Sequence, residues 1–348
     1  MVRAIGLLSG GLDSTLACRL LKDQGVDVIA VHFSTGFCLN DHRRVVRRRK
    51  DQGKDLSHSA LRAGANLDIP VEVIDISQEY FRKVLLQPKY GYGSAMNPCL
   101  DCRIFMLRKA RDRMAEYDAQ FVFTGEVLDQ RPMSQHFRAL QTVEREAGLE
   151  GLLLRPLSAK LLPPTIPEKM GWVDRAKLLG LRGRSRKVQM ALAEKYGIVD
   201  YPQPAGGCCV LVDPNFAMRL QDSLLHRPTE VMDLRDILLL KVGRHFRIHD
   251  GLKLVVGREE AENNFLRLRF SDHIQLQPVH VKGPLAILDG EVRADEDLVV
   301  AARLTARYAD KMPNLSAVAI SVHSPTGWVR TLEVPPAEEA LVRSLQVG

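Results

Sequence analysis

Arg3-Ala4-Ile5-Gly6-Leu7-Leu8-Ser9-Gly10-Gly11-Leu12-Asp13-Ser14-Thr15-Leu16 is the stretch from which the fold of this chain is read. An apolar run short enough to be one buried strand passes into two glycines, and a helical apolar pattern follows from about Ser14 to Gln24. A strand that ends in a Gly-rich turn at a helix start gathers backbone N–H groups and the positive end of the helix dipole at one point, which suits a phosphate chain. Ser9 and Ser14 add hydroxyl donors, Gly10 and Gly11 let the backbone come close, and Asp13 adds a carboxylate able to help hold magnesium. No Gly-Lys-Ser/Thr follows, so this is not a Walker A loop.

Outward from this turn, short β-like runs alternate with helical patterns. The runs are Val28 to Phe33, Val71 to Ile76 and Phe121 to Thr124, and the helices fall near Lys54 to Gly64 and Leu100 to Glu116. The alternation predicts an α/β fold, a doubly wound parallel sheet with crossover helices. Ligands of such sheets bind beyond the carboxyl ends of the strands, where the loops after Leu8, Phe33 and Phe123 converge. From Leu157 to Tyr201 the pattern reads as helical, with a helix near Ser185 to Tyr196, and a linker-like YPQPAGG follows. Beyond Asp213, helices near Pro214 to Leu225, Val231 to Leu240 and Asp297 to Ala309 mix with β runs at His245 to His249, Lys253 to Gly257 and Ala286 to Leu288. The organisation expected is a nucleotide domain over 1–160, a segment over 161–212 that completes the active site, and a smaller C-terminal α+β domain over 213–348. No internal repeat is visible.

The 348 residues are 45% hydrophobic and 26% charged, which excludes collagen-like, low-complexity and largely disordered classes. The net charge of +7 is uneven: residues 1–50 and 151–200 together carry +11 and the remainder −4. Two basic runs stand out, HRRVVRRRK from His42 to Lys50 and RGRSRK from Arg182 to Lys187, each able to meet nucleic-acid phosphates or to face solvent. Arg184 or Arg186 is alternatively placed to steady the phosphates of a nucleotide. Charges interrupt every apolar run, so no membrane association is expected, and the N-terminal run leads to a turn and not to a signal cleavage site. A soluble, cytoplasmic protein with reduced cysteines is the expectation.

Six cysteines are too few for a disulfide framework, so their spacing matters more. Cys99 and Cys102, in NPCLDC, lie three apart at a predicted helix start, where the dipole and Arg103 are expected to lower their pKa values. Cys208, in PAGGCC, follows glycines that leave room for a cofactor. Three thiolates suit an iron-sulfur cluster or zinc, while a C-x-x-C without a second pair speaks against a four-cysteine zinc site. Cys18 fits the apolar pattern of the first helix, Cys38 has no spaced partner, and Cys209 simply adjoins Cys208.

The SGGLDS turn between strand and helix resembles the PP-loop ATP pyrophosphatases, whose SGGxDS motif binds the pyrophosphate of ATP while a carbonyl oxygen is adenylated. The resemblance implies that Ser9, Gly10, Gly11, Asp13 and Ser14 bind ATP and Mg2+, and that His32, Phe33, Thr124 and Gly125, in the segments Val31-His32-Phe33 and Thr124-Gly125-Glu126, flank adenine and ribose. With the thiols added, residues 1 to 212 look like the tRNA-thiolating branch, the tRNA 2-thiouridylases and 4-thiouridine synthetases. In its iron-sulfur relatives three cysteines hold a 4Fe-4S cluster whose fourth iron carries a sulfide. Carried over, the ligands are Cys99, Cys102 and Cys208, which with Asp13 form the implied catalytic set. Gly125 to Gln135 also resembles the thiouridine synthetases, with Asp129 where glycine is expected. In the last domain, Val255-Val256-Gly257-Arg258 through Asn263 resembles the strand-turn-helix signature of the NFACT-type RNA-binding domain.

These resemblances imply an ATP-dependent tRNA sulfurtransferase, with tRNA and a sulfide or persulfide donor as partners. Two alternatives stand beside it. One is a cluster-free thiolase in which Cys99 or Cys102 works with a Cys208 persulfide, and the other is an RNA-binding protein that only senses nucleotide.

Overall fold

Strand β1 (Arg3–Leu7) lies between β2 (Asp27–Ser34) and β4 (Phe121–Thr124), parallel to both. With β3 (Val71–Asp75) beside β2 and β5 (Leu153–Leu154) beside β4, this computed structural model holds a five-stranded parallel sheet of order β3-β2-β1-β4-β5. It describes residues 1–39, 46, 58–199, 201, 208–310 and 316–348. The expected doubly wound α/β architecture is therefore present.

Residues alternate between the two faces of the sheet because successive side chains of a strand point opposite ways. Ala4, Leu8, Val28, Ala30, Phe121 and Phe123 pack with Leu16, Leu20 and Leu21 of the helix Leu12–Lys22 and with Ala60, Ala63 and Leu67 of the helix Ser59–Leu67. On the other face Ile5, Val31, Phe33 and Val122 pack with Ile104, Leu107 and Ala110 of the helix Cys99–Asp112 and with Val143 and Ala147 of the helix Phe137–Ala147. The strand order reverses at β1, between the β1–β2 and β1–β4 pairs, which opens a crevice at the carboxyl ends of β1 and β4.

Residues 157–201 depart from the helical expectation. One helix of nine residues, Lys187–Lys195, and a four-residue helix, Ile166–Lys169, are joined by short 3-10 turns and irregular chain. Pro163 and Pro164 remove backbone donors where a longer helix would need them, and Pro167 fits only because it stands in the first turn of its short helix, so the apolar residues there, such as Leu157, Val173 and Leu178, enter the core from loops.

The chain divides into two compact units, the second comprising Leu211–Gly348 together with Val46 among the described residues. Its antiparallel seven-stranded sheet runs β11-β10-β8-β9-β7-β6-β12, built from β6 (Arg244–His249), β7 (Leu252–Val256), β8 (Ile274–Pro278), β9 (Ala286–Gly290), β10 (Val318–His323), β11 (Val329–Val334) and β12 (Gln346–Val347). Leu252, Leu254 and Val256 face Leu298, Ala301 and Ala302 of the helix Asp295–Ala306, while Val255 faces Phe265 and Leu266 of the helix Glu260–Arg269. The signature expected for RNA binding ties this unit together internally. Asn263 Oδ1 accepts the Leu285 N–H at 3.1 Å, and Glu262 Oε2 accepts the N–H groups of Gly243 and Arg258, each at 3.0 Å. No helix among the described residues is long and apolar enough to cross a membrane.

Candidate active site

The helix Leu12–Lys22 begins with Gly11 as its cap residue and, among the described residues, no side chain caps its first N–H groups, so these donors point out at the end of β1. The turn before it is held by its own hydroxyls. Ser14 Oγ donates to the Gly11 carbonyl at 2.9 Å and lies 3.1 Å from Ser9 Oγ, which accepts the Gly11 N–H at 3.3 Å. Gly10 has φ +74°, and a Cβ there would stand 2.3 Å from the Ser59 carbonyl carbon, so both conformation and space require glycine.

Asp13 sits just inside the helix. Its Oδ2 accepts from Gln130 Nε2 at 3.0 Å and lies 3.5 Å from an Arg186 guanidinium nitrogen, while its Oδ1 is buried and has no hydrogen-bond partner among the described residues. A buried carboxylate oxygen without a donor is what a hard cation such as Mg2+ would take up. The turn after β4 closes against this point: a Cβ on Gly125 would stand 2.5 Å from the Ser14 Cα. Thr124 turns its hydroxyl to Glu126 Oε2 at 3.1 Å. His32, buried at the end of β2, places Nδ1 2.9 Å from the Leu8 carbonyl just ahead of the turn, and Phe33 is buried in the apolar layer with Ile104 and Leu107. Asp129 adopts φ +59°, the left-handed conformation that aspartate tolerates, so the turn forms without the glycine expected there. Its carboxylate binds Arg182 at 2.7 Å, which draws part of the second basic run onto the turn.

The thiols belong to the same unit. Cys99 and Cys102 occupy the first turn of the helix Cys99–Asp112, and Asp101 between them accepts the N–H groups of Lys89 and Tyr90, each at 3.0 Å, fixing the preceding loop onto the helix start. Cys99 Sγ donates to the fully buried Ser134 Oγ at 3.3 Å. One turn on, Arg103 reaches Glu126 Oε1 at 3.6 Å, and Arg155 Nε donates to Glu126 Oε2 at 3.2 Å. Glu126 therefore joins the thiol helix to the end of β4. Burial opposes the Glu126 charge, yet Arg103 and Arg155 overcome it and hold the carboxyl below its usual range.

Cys208 and Cys209 lie alongside Phe37–Leu39, with the Val210 N–H donating to the Phe37 carbonyl at 2.9 Å. Cys208 is exposed, and a hydrogen bond from Cys209, followed by the guanidinium groups of Arg131 and Arg103, holds its thiol well below the usual range. The expected lowering by the helix start is not met at Cys102. Burial pushes that thiol up to about 12, and the negative charge of Cys208 adds to the shift. Tyr80 bonds to Cys102, and its own pKa is raised by burial and then by the thiols. Cys99, Cys102 and Cys208 are thus neighbours that feel one another's charge. Among the described residues, no three His, Cys, Asp or Glu side chains stand at metal-holding geometry.

Tyr80, Arg131, Ser134 and Asn97 around the thiols, and Gln130 and Arg155 behind the turn, were not marked as site residues by spacing. The run His42 to Lys50, apart from Val46, and residues Pro204 to Gly207 lie outside the described residues.

Residues 2–146 match the family model described as the tRNA methyl transferase HUP domain, and residues 243–344 match that of the NFACT protein RNA binding domain. Both resemblances read from the motifs are thereby met. The tRNA-specific 2-thiouridylase MnmA of Petrotoga mobilis is 32% identical over 134 residues, 36% of this chain and 35% of that protein. MnmA of Roseiflexus sp. is 28% identical over 271 residues, 73% of this chain and 68% of that protein. Against the Petrotoga relative and MnmA of Listeria monocytogenes the chain spans 35% and 62% of their length. A crystal structure of a 4-thiouridine synthetase–RNA complex with bound ATP superposes with a TM-score of 0.34 at 23% identity, over 45% of this chain and 37% of that one.

Proposed function

We propose that this chain is an ATP-dependent tRNA sulfurtransferase, which adenylates a uridine carbonyl oxygen and then replaces that oxygen with sulfur. The observation that carries the reading is that an anion-binding turn and a thiol group share the end of one strand: Gly125 lies against Ser14, and Glu126 holds Arg103 of the thiol helix. The 2-thiouridylase relatives and the RNA-binding-domain match agree with tRNA as the substrate. A cytoplasmic site of action follows from that substrate.

The uridine oxygen attacks the α-phosphorus of ATP and pyrophosphate leaves, held by the N–H groups after Gly10 with Arg186 beside them. Asp13, through its open Oδ1, would hold Mg2+ to offset charge on the leaving phosphates. His32, Thr124 and Gly125 would flank the nucleoside, with Phe33 supporting them from the core.

Three soft sulfur donors beside the cationic Arg103 and Arg131 suit a 4Fe-4S cluster, with Cys99, Cys102 and Cys208 as the residues that would hold it. When bound, such a cluster would supply an iron-held sulfide as the sulfur nucleophile. The low pKa of Cys208 favours a second reading with no metal. The terminal sulfur of a Cys208 persulfide attacks the activated carbon and AMP leaves. The Cys99 or Cys102 sulfur then attacks the Cys208 sulfur, its proton passing to the departing thiouridine sulfur, which frees the thiouridine and leaves a disulfide.

Purified protein should release AMP only with both ATP and tRNA, and tRNA from a deletion strain should lack one thiouridine by nucleoside mass spectrometry. A full complement of thiouridines in that strain would overturn the proposal. Stoichiometric iron after anaerobic purification separates the cluster from the relay, and absence of AMP release with RNA bound would point to a nucleotide-sensing RNA-binding protein.

A further inference from the structure

Cys38 follows β2 and Cys209 follows Cys208, and Cys38 and Cys209 face each other across an isolated antiparallel bridge. Two hydrogen bonds flank the pair, Val210 N–H to the Phe37 carbonyl at 2.9 Å and Leu39 N–H to the Cys208 carbonyl at 3.4 Å. Cys38 and Cys209 are therefore the non-hydrogen-bonded kind of pair, in which Cα atoms lie about 4.5 Å apart and both side chains leave on one face. That separation is within the range of about 4.4 to 6.8 Å that a disulfide spans without backbone movement. Both residues are partly exposed, so a small oxidant can reach them, unlike Cys18, which is buried in the core.

We propose that Cys38 and Cys209 form a reversible cross-strand disulfide that switches the neighbouring thiol site off. In the reduced state Cys209 Sγ lies 3.7 Å from Asn97 Oδ1, joining the Cys208-Cys209 segment to the Asn97-Pro98-Cys99 turn, and it also bonds to Cys208. Oxidation removes the Cys209 proton and turns its sulfur to Cys38, so both hydrogen bonds are lost, and with them the side-chain link between the Cys208 segment and the Cys99 turn. The oxidant class is a low-molecular-weight disulfide such as oxidised glutathione. One cysteine thiolate attacks it, forming a mixed disulfide and expelling a glutathione thiolate. The second cysteine thiolate then attacks the mixed disulfide and expels the other. Two protein thiols lose two electrons and two protons, and one glutathione disulfide becomes two glutathiones.

The effect on sulfur transfer rests on the proposed activity, whereas the disulfide does not. Full-length protein would be treated anaerobically with oxidised glutathione, and unreduced peptides mapped by mass spectrometry. The expected product joins the Cys38 peptide to the Cys208–Cys209 peptide at two hydrogens below their summed mass. It persists in Cys208→Ser and vanishes in Cys38→Ser and Cys209→Ser. A Cys38 that stays open to alkylation throughout, or a cross-link made by Cys208 instead, would overturn the pairing. Sulfur transfer by the wild type should fall about tenfold or more on oxidation and return with dithiothreitol, while Cys38→Ser keeps its rate. Equal inactivation of Cys38→Ser would overturn the switch. If neither protein transfers sulfur even when reduced, the proposed activity fails and the peptide map still decides the pairing.

Discussion

At Gly10, valine would have to accept φ +74° and drive a Cβ to 2.3 Å from Ser59, so that substitution reports on folding as much as on ATP. Gly11 and Asp13 make cleaner probes. Gly11 has φ −81°, and among the described residues a Cβ there would meet only Ser9 Oγ, at 3.3 Å. Gly11→Ala should fold with a stability change of about 1 kcal/mol or less while crowding the phosphates. Asp13→Asn keeps the shape but gives up the charge a cation would need, and AMP formation should fall about 100-fold or more at an unchanged melting temperature. AMP release at the wild-type rate in Asp13→Asn would remove Asp13 from the nucleotide site. The SGGLDS residues were legible in the sequence because strand, turn and helix are contiguous there. Tyr80 and Ser134 were not, because only tertiary packing brings a residue 22 positions before Cys102 and another 35 positions after Cys99 to the two sulfurs.

Among elements, those framed by their own periodicity were read nearly to the residue: β4 at Phe121–Thr124 and the helix Pro214–His226 stand where the pattern put them. Strands β8, β10 and β11 escaped notice. β8 carries Gln275 and Gln277 between its apolar residues, and β11 is an edge strand with mostly exposed side chains, so neither shows a long apolar run. The helix Cys99–Asp112 is fastened to β4 by Glu126, whose carboxylate is nearly inaccessible between Arg103 and Arg155. Glu126→Gln preserves volume but leaves the Arg103 guanidinium without its carboxylate partner and Arg155 with Glu144 alone, at a cost of about 3 kcal/mol in thermal or urea unfolding. The Glu126 pKa is lowered in the folded state, so its contribution is present above the unfolded value of about 4.3 and is lost as pH falls below that through the folded value. Wild-type stability should drop over this acid range, and the difference from Glu126→Gln should shrink with it. A difference that stays constant down to pH 3 would contradict the ion-pair role.

Across the whole molecule, each unit closes its own core: Leu16, Phe121 and Phe123 serve the first, and Leu254, Leu298 and Ile320 the second. A chain ending at residue 212 should therefore fold cooperatively and bind ATP, yet bind tRNA more weakly, since it lacks the region matched by the RNA-binding family model. The form of that weakening separates specific contact from charge. Each phosphate met by Lys or Arg releases bound counterions, so the logarithm of affinity falls linearly with the logarithm of salt, with a slope of about −0.7 to −0.9 per contact. If Arg47, Arg48 and Arg49 contact RNA, reversing all three to Glu in the full-length protein should weaken tRNA binding at low salt and flatten the slope by about 2 to 3. The same variant should bind ATP as the wild type does, because none of the three belongs to the nucleotide turn. A slope and affinity equal to the wild type would make the run a solvated face. An unchanged slope with lost affinity would mean that the substitutions act on folding, which the melting temperature of the same sample would show.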